Sequence, residues 1–112
     1  MPRLTVVETA AYLADAKKLL TDDERASVVD MIAANPACGE IIQGGGGVRK
    51  VRFAIGNKGK SGGVRVIYYF HSEVFPAFLL MVYAKNMRTD ISAEQTAVLA
   101  SFAKRMTETY GV

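Results

Sequence analysis

Three short apolar stretches in the second half of the chain constrain the fold more than any other feature of the sequence. They cover residues 48–55, 63–71 and 77–84, and they are rich in Val, Ile, Phe and Tyr. The loop GNKGKSG separates the first two, and a turn around Pro76 separates the last two. Apolar stretches bounded by turn residues are typical of β-strands. Because sequential strands this close usually pair with each other, we predict an antiparallel meander.

Helix signals flank the meander on both sides. Apolar residues recur at helical spacing over residues 10–20, and the sequence TDDE at residues 21–24 is a capping box that begins a second helix. The Asn-Pro pair at residues 35–36 should end this second helix, because the residue before a proline disfavours the helical conformation. A further capping box at residues 92–95 precedes a C-terminal helix with one apolar face.

The order of these elements predicts the fold class. With a short β-branched strand at residues 3–7, the order is β-α-α-β-β-β-α. This order favours a small single α+β domain over residues 1–112. We expect one antiparallel sheet with the helices packed on one face and the other face partly open.

Positive charge is concentrated in the first two strands of the meander and in the loop between them. Residues 41–72 contain six Lys or Arg and no acid, although the 112-residue chain has a net charge of only +3. The six residues are Arg49, Lys50, Arg52, Lys58, Lys60 and Arg65. Such a patch attracts phosphates or an acidic partner protein, and the attraction should weaken as salt is raised.

Side-chain alternation predicts which of these charges lie together. Successive side chains of a strand point to opposite faces of the sheet, so Lys50 and Arg52 should lie opposite Val51. Arg65 on the next strand should share their face. Three cations on one open face repel each other and pack nothing, which indicates that something polyanionic binds between them. The other three basic residues can be explained equally well as solvated surface charges or as nucleic-acid contacts. They are Arg49, Lys58 and Lys60.

Other kinds of site find little support in the sequence. The basic stretch offers no Asp or Glu to bind a metal, and the chain has no His-rich or Cys-rich cluster, so we expect neither metal nor cofactor. The single cysteine, Cys38, cannot form an internal disulfide and fits a reducing cytosol. No apolar run approaches the ~20 residues of a membrane span. We therefore expect a cytoplasmic protein that makes no membrane contact.

The three strands also resemble a known family. The runs VRKVRFA at residues 48–54, GVRVIYY at residues 63–69 and FLLMVYAKN at residues 78–86 resemble the RelE/ParE toxins of bacterial type II toxin–antitoxin modules. Within that superfamily the chain is most similar to the RelE-like branch called HigB, which carries an additional C-terminal helix. The resemblance covers nearly the whole chain in element order, and its specific part is residues 48–86.

The resemblance implies an activity and partners. RelE-type toxins are small metal-independent ribonucleases, or mRNA interferases, that cut messenger RNA in the ribosomal A site. The chain is therefore expected to be a ribosome-dependent endoribonuclease that inhibits translation. Its expected partners are the ribosome, mRNA and a cognate antitoxin, which by the habit of the family is a small helix-turn-helix protein.

The resemblance also suggests which residues act on RNA. By similarity, Lys50 and Arg52 match the Lys-x-Lys pair on the family's second strand, and Arg65 matches the arginine of its Gly-Tyr-Arg motif. Lys85 falls where the family places a basic residue after the last strand, and Asn86 beside it is expected to contact RNA.

One departure from the family concerns the proton acceptor. RelE itself uses a tyrosine shortly after the last strand as a candidate base, and residues 87–92 contain none. Tyr83, or Tyr110 folding back from the last helix, is the substitute that the sequence offers.

The expected chemistry fits these residue types. The RNA 2′-OH attacks the neighbouring phosphate, and negative charge grows on the phosphate oxygens in the transition state. Arg65 offers a planar fork for two of those oxygens. Lys50 or Lys85 is available as the general acid for the leaving 5′-oxygen.

Two alternatives remain open from the sequence. The first is a ParE-like toxin that inhibits gyrase by binding and does not cut RNA. The second is a catalytically degenerate relative that binds only RNA or an antitoxin. The intact basic triad favours the nuclease, and the missing tyrosine keeps the degenerate relative open.

Overall fold

The computed structural model describes residues 4–55, 63–85 and 90–110. Across these ranges the chain forms five strands and three helices. In chain order they are β1 (Val6–Glu8), α1 (Ala10–Leu19), α2 (Asp22–Ala34), β2 (Glu40–Ile41), β3 (Val48–Phe53), β4 (Val64–Tyr69), β5 (Ala77–Ala84) and α3 (Ala93–Tyr110). The predicted order is confirmed, with the two-residue strand β2 added before the meander.

Side-chain caps fix where the three described helices begin. The Thr21 hydroxyl accepts from the Glu24 N–H at 3.1 Å, and the Glu24 carboxylate accepts from the Thr21 N–H at 2.9 Å. Ser92 and Gln95 make the same reciprocal pair at the start of α3, both at 3.1 Å. Both predicted capping boxes are therefore confirmed. Thr9 caps α1 in addition, since its hydroxyl accepts from the backbone N–H three residues on at 3.3 Å.

The strands form one mixed sheet in the order β1-β5-β4-β3-β2. The meander β3-β4-β5 is antiparallel, as predicted, and β2 extends it antiparallel to β3. The prediction of a wholly antiparallel sheet is wrong at β1, which pairs parallel to β5 with Val6 opposite Ala77. The connection from β1 runs through two helices and three strands before the chain reaches β5. A connection this long can place two strands side by side in the same direction.

Helices α1 and α2 cover one face of the sheet, which we call the first face. Tyr12, Val28 and Ile32 from these helices are fully buried against Val66 and Leu79 of the sheet. This cluster is the larger of the two described cores. Burial of apolar area contributes a free energy of roughly 25 cal/mol per Å² to folding, so this cluster is a main source of stability.

Helix α3 packs on the opposite face, which we call the second face. Leu99, Phe102 and Met106 of α3 contact a cluster that includes Val48 and Tyr69. The prediction that the helices pack on one face is therefore wrong for α3. Its apolar side must be buried, and α1 and α2 already occupy the first face.

The glycine run before β3 makes a tight turn. The Ile42 N–H donates to the Val48 carbonyl at 2.9 Å, so the turn closes the β2–β3 hairpin. Gly47 has φ +108°, and a Cβ there would lie 2.9 Å from the Tyr69 ring. Only glycine combines this conformation with so close an approach. The run therefore serves the geometry of the hairpin.

Candidate functional site

The strand register places Lys50, Arg52 and Arg65 on the second face. Val51 packs in the first core, whereas Val48 packs in the second. Lys50 and Arg52 alternate with Val51, so they project to the same face as Val48. Arg65 lies between Val64 and Val66, which both pack in the first core. The three cations share one face, as their alternation with apolar residues predicts.

Arg52 and Arg65 lie directly opposite each other on neighbouring strands. The Lys85 N–H donates to the Gly63 carbonyl at 3.3 Å, so the backbone of Gly63 faces β5. Backbone groups alternate in direction along a strand, so the backbone of Arg65, two residues on, also faces β5 and not β3. Arg52 and Arg65 are therefore a non-hydrogen-bonded pair, the kind in which opposite side chains lie closest. Like charges placed directly opposite destabilise a sheet. The pair concentrates positive charge at one point of the second face.

The positive side chains of the second face keep part of their surface open to solvent. Arg52 and Lys85 are exposed, and Arg65 is half-buried. Helix α3 packs on the second core, which includes Val48 and Tyr69 at one end and Tyr83 opposite Arg65. We call Lys50, Arg52, Arg65 and Lys85 the basic face. A flexible polyanion can reach the exposed members of this set from solvent.

Lys50 is held by an ion pair with the start of α3. Its Nζ lies 3.3 Å from Asp90 Oδ1, and the two side chains are 24% and 61% exposed. The Ile91 N–H donates to the same oxygen at 2.9 Å. This N–H, with a further contribution from Lys50, holds the pKa of Asp90 below its usual value. Forty positions separate Lys50 from Asp90, and no local sequence signal indicated their contact.

Tyr83 lies beside Arg65 but inside the second core. It is directly opposite Arg65 on β5, so Arg52, Arg65 and Tyr83 form one row across three strands. Only 6% of Tyr83 is exposed, and its hydroxyl oxygen is buried. This burial does not favour Tyr83 as a base toward RNA in solvent. For Tyr110, the other substitute that the sequence offers, the structure describes only the backbone.

Arg49 lies on the first face, away from the basic face. Its Nη1 donates to the Gly39 carbonyl at 2.9 Å, and its guanidinium lies 5.9 Å from the centre of the Phe70 ring. Tyr68 reinforces the same turn, because its hydroxyl accepts from the Gly39 N–H at 2.9 Å and donates to the Pro36 carbonyl at 2.7 Å. These bonds fix the segment that leads from α2 into β2, which is a structural role.

The placement of Arg49 predicts a structural phenotype. We expect Arg49→Ala to lower the free energy of unfolding by roughly 1.5–3 kcal/mol, the range for a hydrogen bond to a charged group. Urea denaturation measures this loss. Arg105→Ala is the matched control, because Arg105 is exposed on α3 and its loss should change stability by less than about 0.5 kcal/mol. An Arg49→Ala protein as stable as this control would show that the turn does not depend on Arg49.

Three predicted RNA-contact residues lie outside the described residues: Lys58, Lys60 and Asn86. Their roles stay predictions. Within the described parts of the chain, no three His, Cys, Asp or Glu side chains cluster in a way that could hold a metal ion.

Comparison with known proteins assigns the family. The model of the family described as "RelE toxin of RelE / RelB toxin-antitoxin system" matches residues 7–111. The chain belongs to the RelE toxin family. The resemblance found in its three strands is therefore confirmed at family level. A solved structure agrees in fold: a double-mutant form of the E. coli toxin RelE in the free state, with a TM-score of 0.56 and 16% identity. The match covers 95% of this chain and 99% of that one.

Membership of the RelE family fixes the general class of the protein. It is a toxin of a toxin–antitoxin system, and the partner that the family implies is an antitoxin. Toxins of the RelE family are endoribonucleases, so the chain belongs to a family of RNA-cutting proteins. No helix in the described ranges is both long enough and apolar enough to cross a lipid bilayer.

Proposed function

We propose that this RelE-family toxin is a ribosome-dependent mRNA endonuclease of the HigB type. A cognate antitoxin, a small helix-turn-helix protein, holds it inactive in the cytoplasm. The observation that supports this function best is the Arg52–Arg65 pair on the second face. Two guanidinium groups on directly opposite residues can both donate hydrogen bonds to one phosphate.

Arg65 is the residue best placed to stabilise the transition state. It is half-buried at the centre of the row, so fewer water molecules compete for its guanidinium than for that of exposed Arg52. When the 2′-OH attacks, negative charge grows on the non-bridging phosphate oxygens. A fixed fork of N–H donors meets that charge without reorganising, and such preorganised donors are often the largest single contribution to catalysis.

Lys50 supplies the proton to the leaving 5′-oxygen. Asp90 holds the Lys50 ammonium beside the basic face through a contact of 3.3 Å. A protonated, positioned amine is what a general acid requires. Exposed Lys85 at the end of β5 is the second candidate for this step, and it also adds to the attraction for the RNA backbone.

The burial of Tyr83 favours a second candidate function. If the reaction needs a tyrosine base that RNA can reach, the described residues do not provide one at this row, since the Tyr83 hydroxyl is buried. The chain would then be a degenerate toxin that binds RNA on the basic face without cutting it. Cleavage assays separate the two functions directly.

The test is cleavage of a defined transcript by the purified chain, with and without ribosomes. We expect cuts only on ribosomes, with 2′,3′-cyclic phosphate or 3′-phosphate ends upstream and 5′-hydroxyl ends downstream. Those ends follow from attack by the neighbouring 2′-OH. The Arg65→Ala protein, purified in the same way, controls for contaminating nucleases.

The chemistry of the ends carries the most information, because ribosomes themselves need Mg²⁺ and chelation is not a clean test. Products with 3′-hydroxyl and 5′-phosphate ends would indicate an activated water and contradict the proposed mechanism. RNA binding without any cut would support the degenerate toxin.

A further inference from the structure

An open cleft of about 330 Å³ adjoins the basic face, between β2 and the start of α3. Lys50 and Asp90 line it on one side, and Gln43 and Thr96 add a side-chain amide and a hydroxyl. Lys50 belongs to both the basic face and the cleft. An RNA strand bound at Arg52 and Arg65 would therefore lie beside the opening of the cleft.

The walls of the cleft combine aliphatic and polar groups. Ile42 and Ile91, both half-buried, supply apolar surface. Apolar surface next to polar side chains suits the flat face and the polar edge of a nucleobase. Sequence-specific RNA recognition usually targets such single-stranded, unstacked bases.

Glu40 is the acceptor in this cleft that is best placed for an incoming base. It lies directly opposite Lys50 across the β2–β3 pair, so its side chain shares the second face, and it is exposed. Asp90 is less available, because its Oδ1 already accepts from Lys50 and from the Ile91 N–H. A carboxylate accepts hydrogen bonds and cannot donate them.

We propose that this cleft binds one unstacked base of the RNA and that Glu40 selects guanine there. The inference rests on the proposed nuclease function and adds a sequence preference to it. Guanine carries two adjacent donors on its Watson–Crick edge, N1–H and the N2 amino group. These match the two oxygens of one carboxylate in a bidentate pair. Adenine and cytosine offer one amino group on that edge, and uracil offers one N–H between two acceptors.

Lys50 lies between the arginine pair, where the phosphate binds, and Glu40, where the base binds. Lys50 and Arg52 are two residues apart on β3, which is about 7 Å along a strand. The phosphate stays with the arginine pair while the base turns toward Glu40. The carboxylates of the cleft repel the backbone, so the cleft accepts a neutral base and excludes a phosphate.

Mapping of cut sites across a complex pool of transcripts tests the proposal. We expect the wild-type chain to enrich guanine at one fixed position relative to the cut. In Glu40→Gln this enrichment should fall by roughly tenfold, because a good bidentate contact gives ~1–3 kcal/mol of discrimination between bases. Glu108→Gln is the matched control, since Glu108 is exposed on α3, is not among the residues that line the cleft, and should leave the profile unchanged.

A second variant tests the cleft itself. Ala93→Leu narrows it from the α3 wall and should also weaken the guanine preference without removing a charge. Guanine enrichment that survives in both variants, or that is missing in the wild-type chain, would overturn the guanine site and leave the nuclease function standing. A wild-type chain that makes no cuts on ribosomes would overturn the nuclease function and the site together.

Discussion

Arg65→Ala should lower the rate of transcript cleavage by roughly a hundredfold to a thousandfold. Losing one preorganised donor to a developing oxyanion raises the barrier by about 2.7–4 kcal/mol. Arg65 sits opposite Arg52 at the centre of the row, where both guanidinium groups can meet one phosphate. Single-turnover cleavage on ribosomes, at saturating enzyme, measures this step separately from binding.

The same substitution should not weaken the fold, and this makes the result easy to interpret. Arg65 contributes charge on a face that is partly open to solvent, so we expect its truncation to leave the chain folded. Arg65→Lys keeps the charge but loses the planar fork, and it should cleave at an intermediate rate. Undiminished cleavage by a folded Arg65→Ala protein would remove Arg65 from the mechanism.

The local parts of the fold were predictable from the sequence. Both capping boxes and the meander β3-β4-β5 follow from short-range signals, namely cap residues three positions apart and apolar runs between turns. These signals act within one element or between neighbours, so a single sequence contains them in full. Side-chain alternation likewise predicted the shared face of Lys50, Arg52 and Arg65, because the period of a strand is fixed.

The long-range parts were not predictable in this way. The parallel pairing of β1 with β5 and the packing of α3 on the second face depend on which surfaces remain after the rest of the chain has packed. The Lys50–Asp90 pair belongs to the same class, because it joins a strand to a helix start far along the chain. The sequence also left the role of Arg49 open. Its partners, the carbonyl groups of Ala37 and Gly39, are brought to it only when the turn is in place.

Tyr83 shows why the residue type alone did not decide a role in the site. The sequence offers it as a replacement for the missing family tyrosine, and the register does place it next to Arg65. Its burial within the second core gives it a different task. Because Tyr83 lies directly opposite Arg65 on the same face, its ring is a neighbour of the Arg65 side chain. We therefore propose that Tyr83 is a positioning residue that acts through Arg65.

Two substitutions at Tyr83 separate positioning from proton transfer. Tyr83→Ala should lower the free energy of unfolding by roughly 3–5 kcal/mol, the usual cost of removing a large buried ring. Tyr83→Phe keeps the ring and removes only the hydroxyl. We expect the Phe variant to cleave within a few-fold of the wild-type rate, because the hydroxyl is buried away from RNA. Urea denaturation and single-turnover cleavage give the two measurements.

The opposite outcome for Tyr83→Phe has a clear meaning. General acid–base catalysis typically contributes 10²- to 10⁴-fold, so a loss of that size in a stably folded Phe variant would identify the hydroxyl as the proton acceptor. The second core would then have to open around Tyr83 when RNA binds on the ribosome. The wild-type chain is the reference, because Tyr83→Phe changes neither the net charge nor the ring. If Tyr83→Phe cleaves like the wild-type chain, its hydroxyl takes no part in proton transfer, and any role of Tyr83 belongs to its ring.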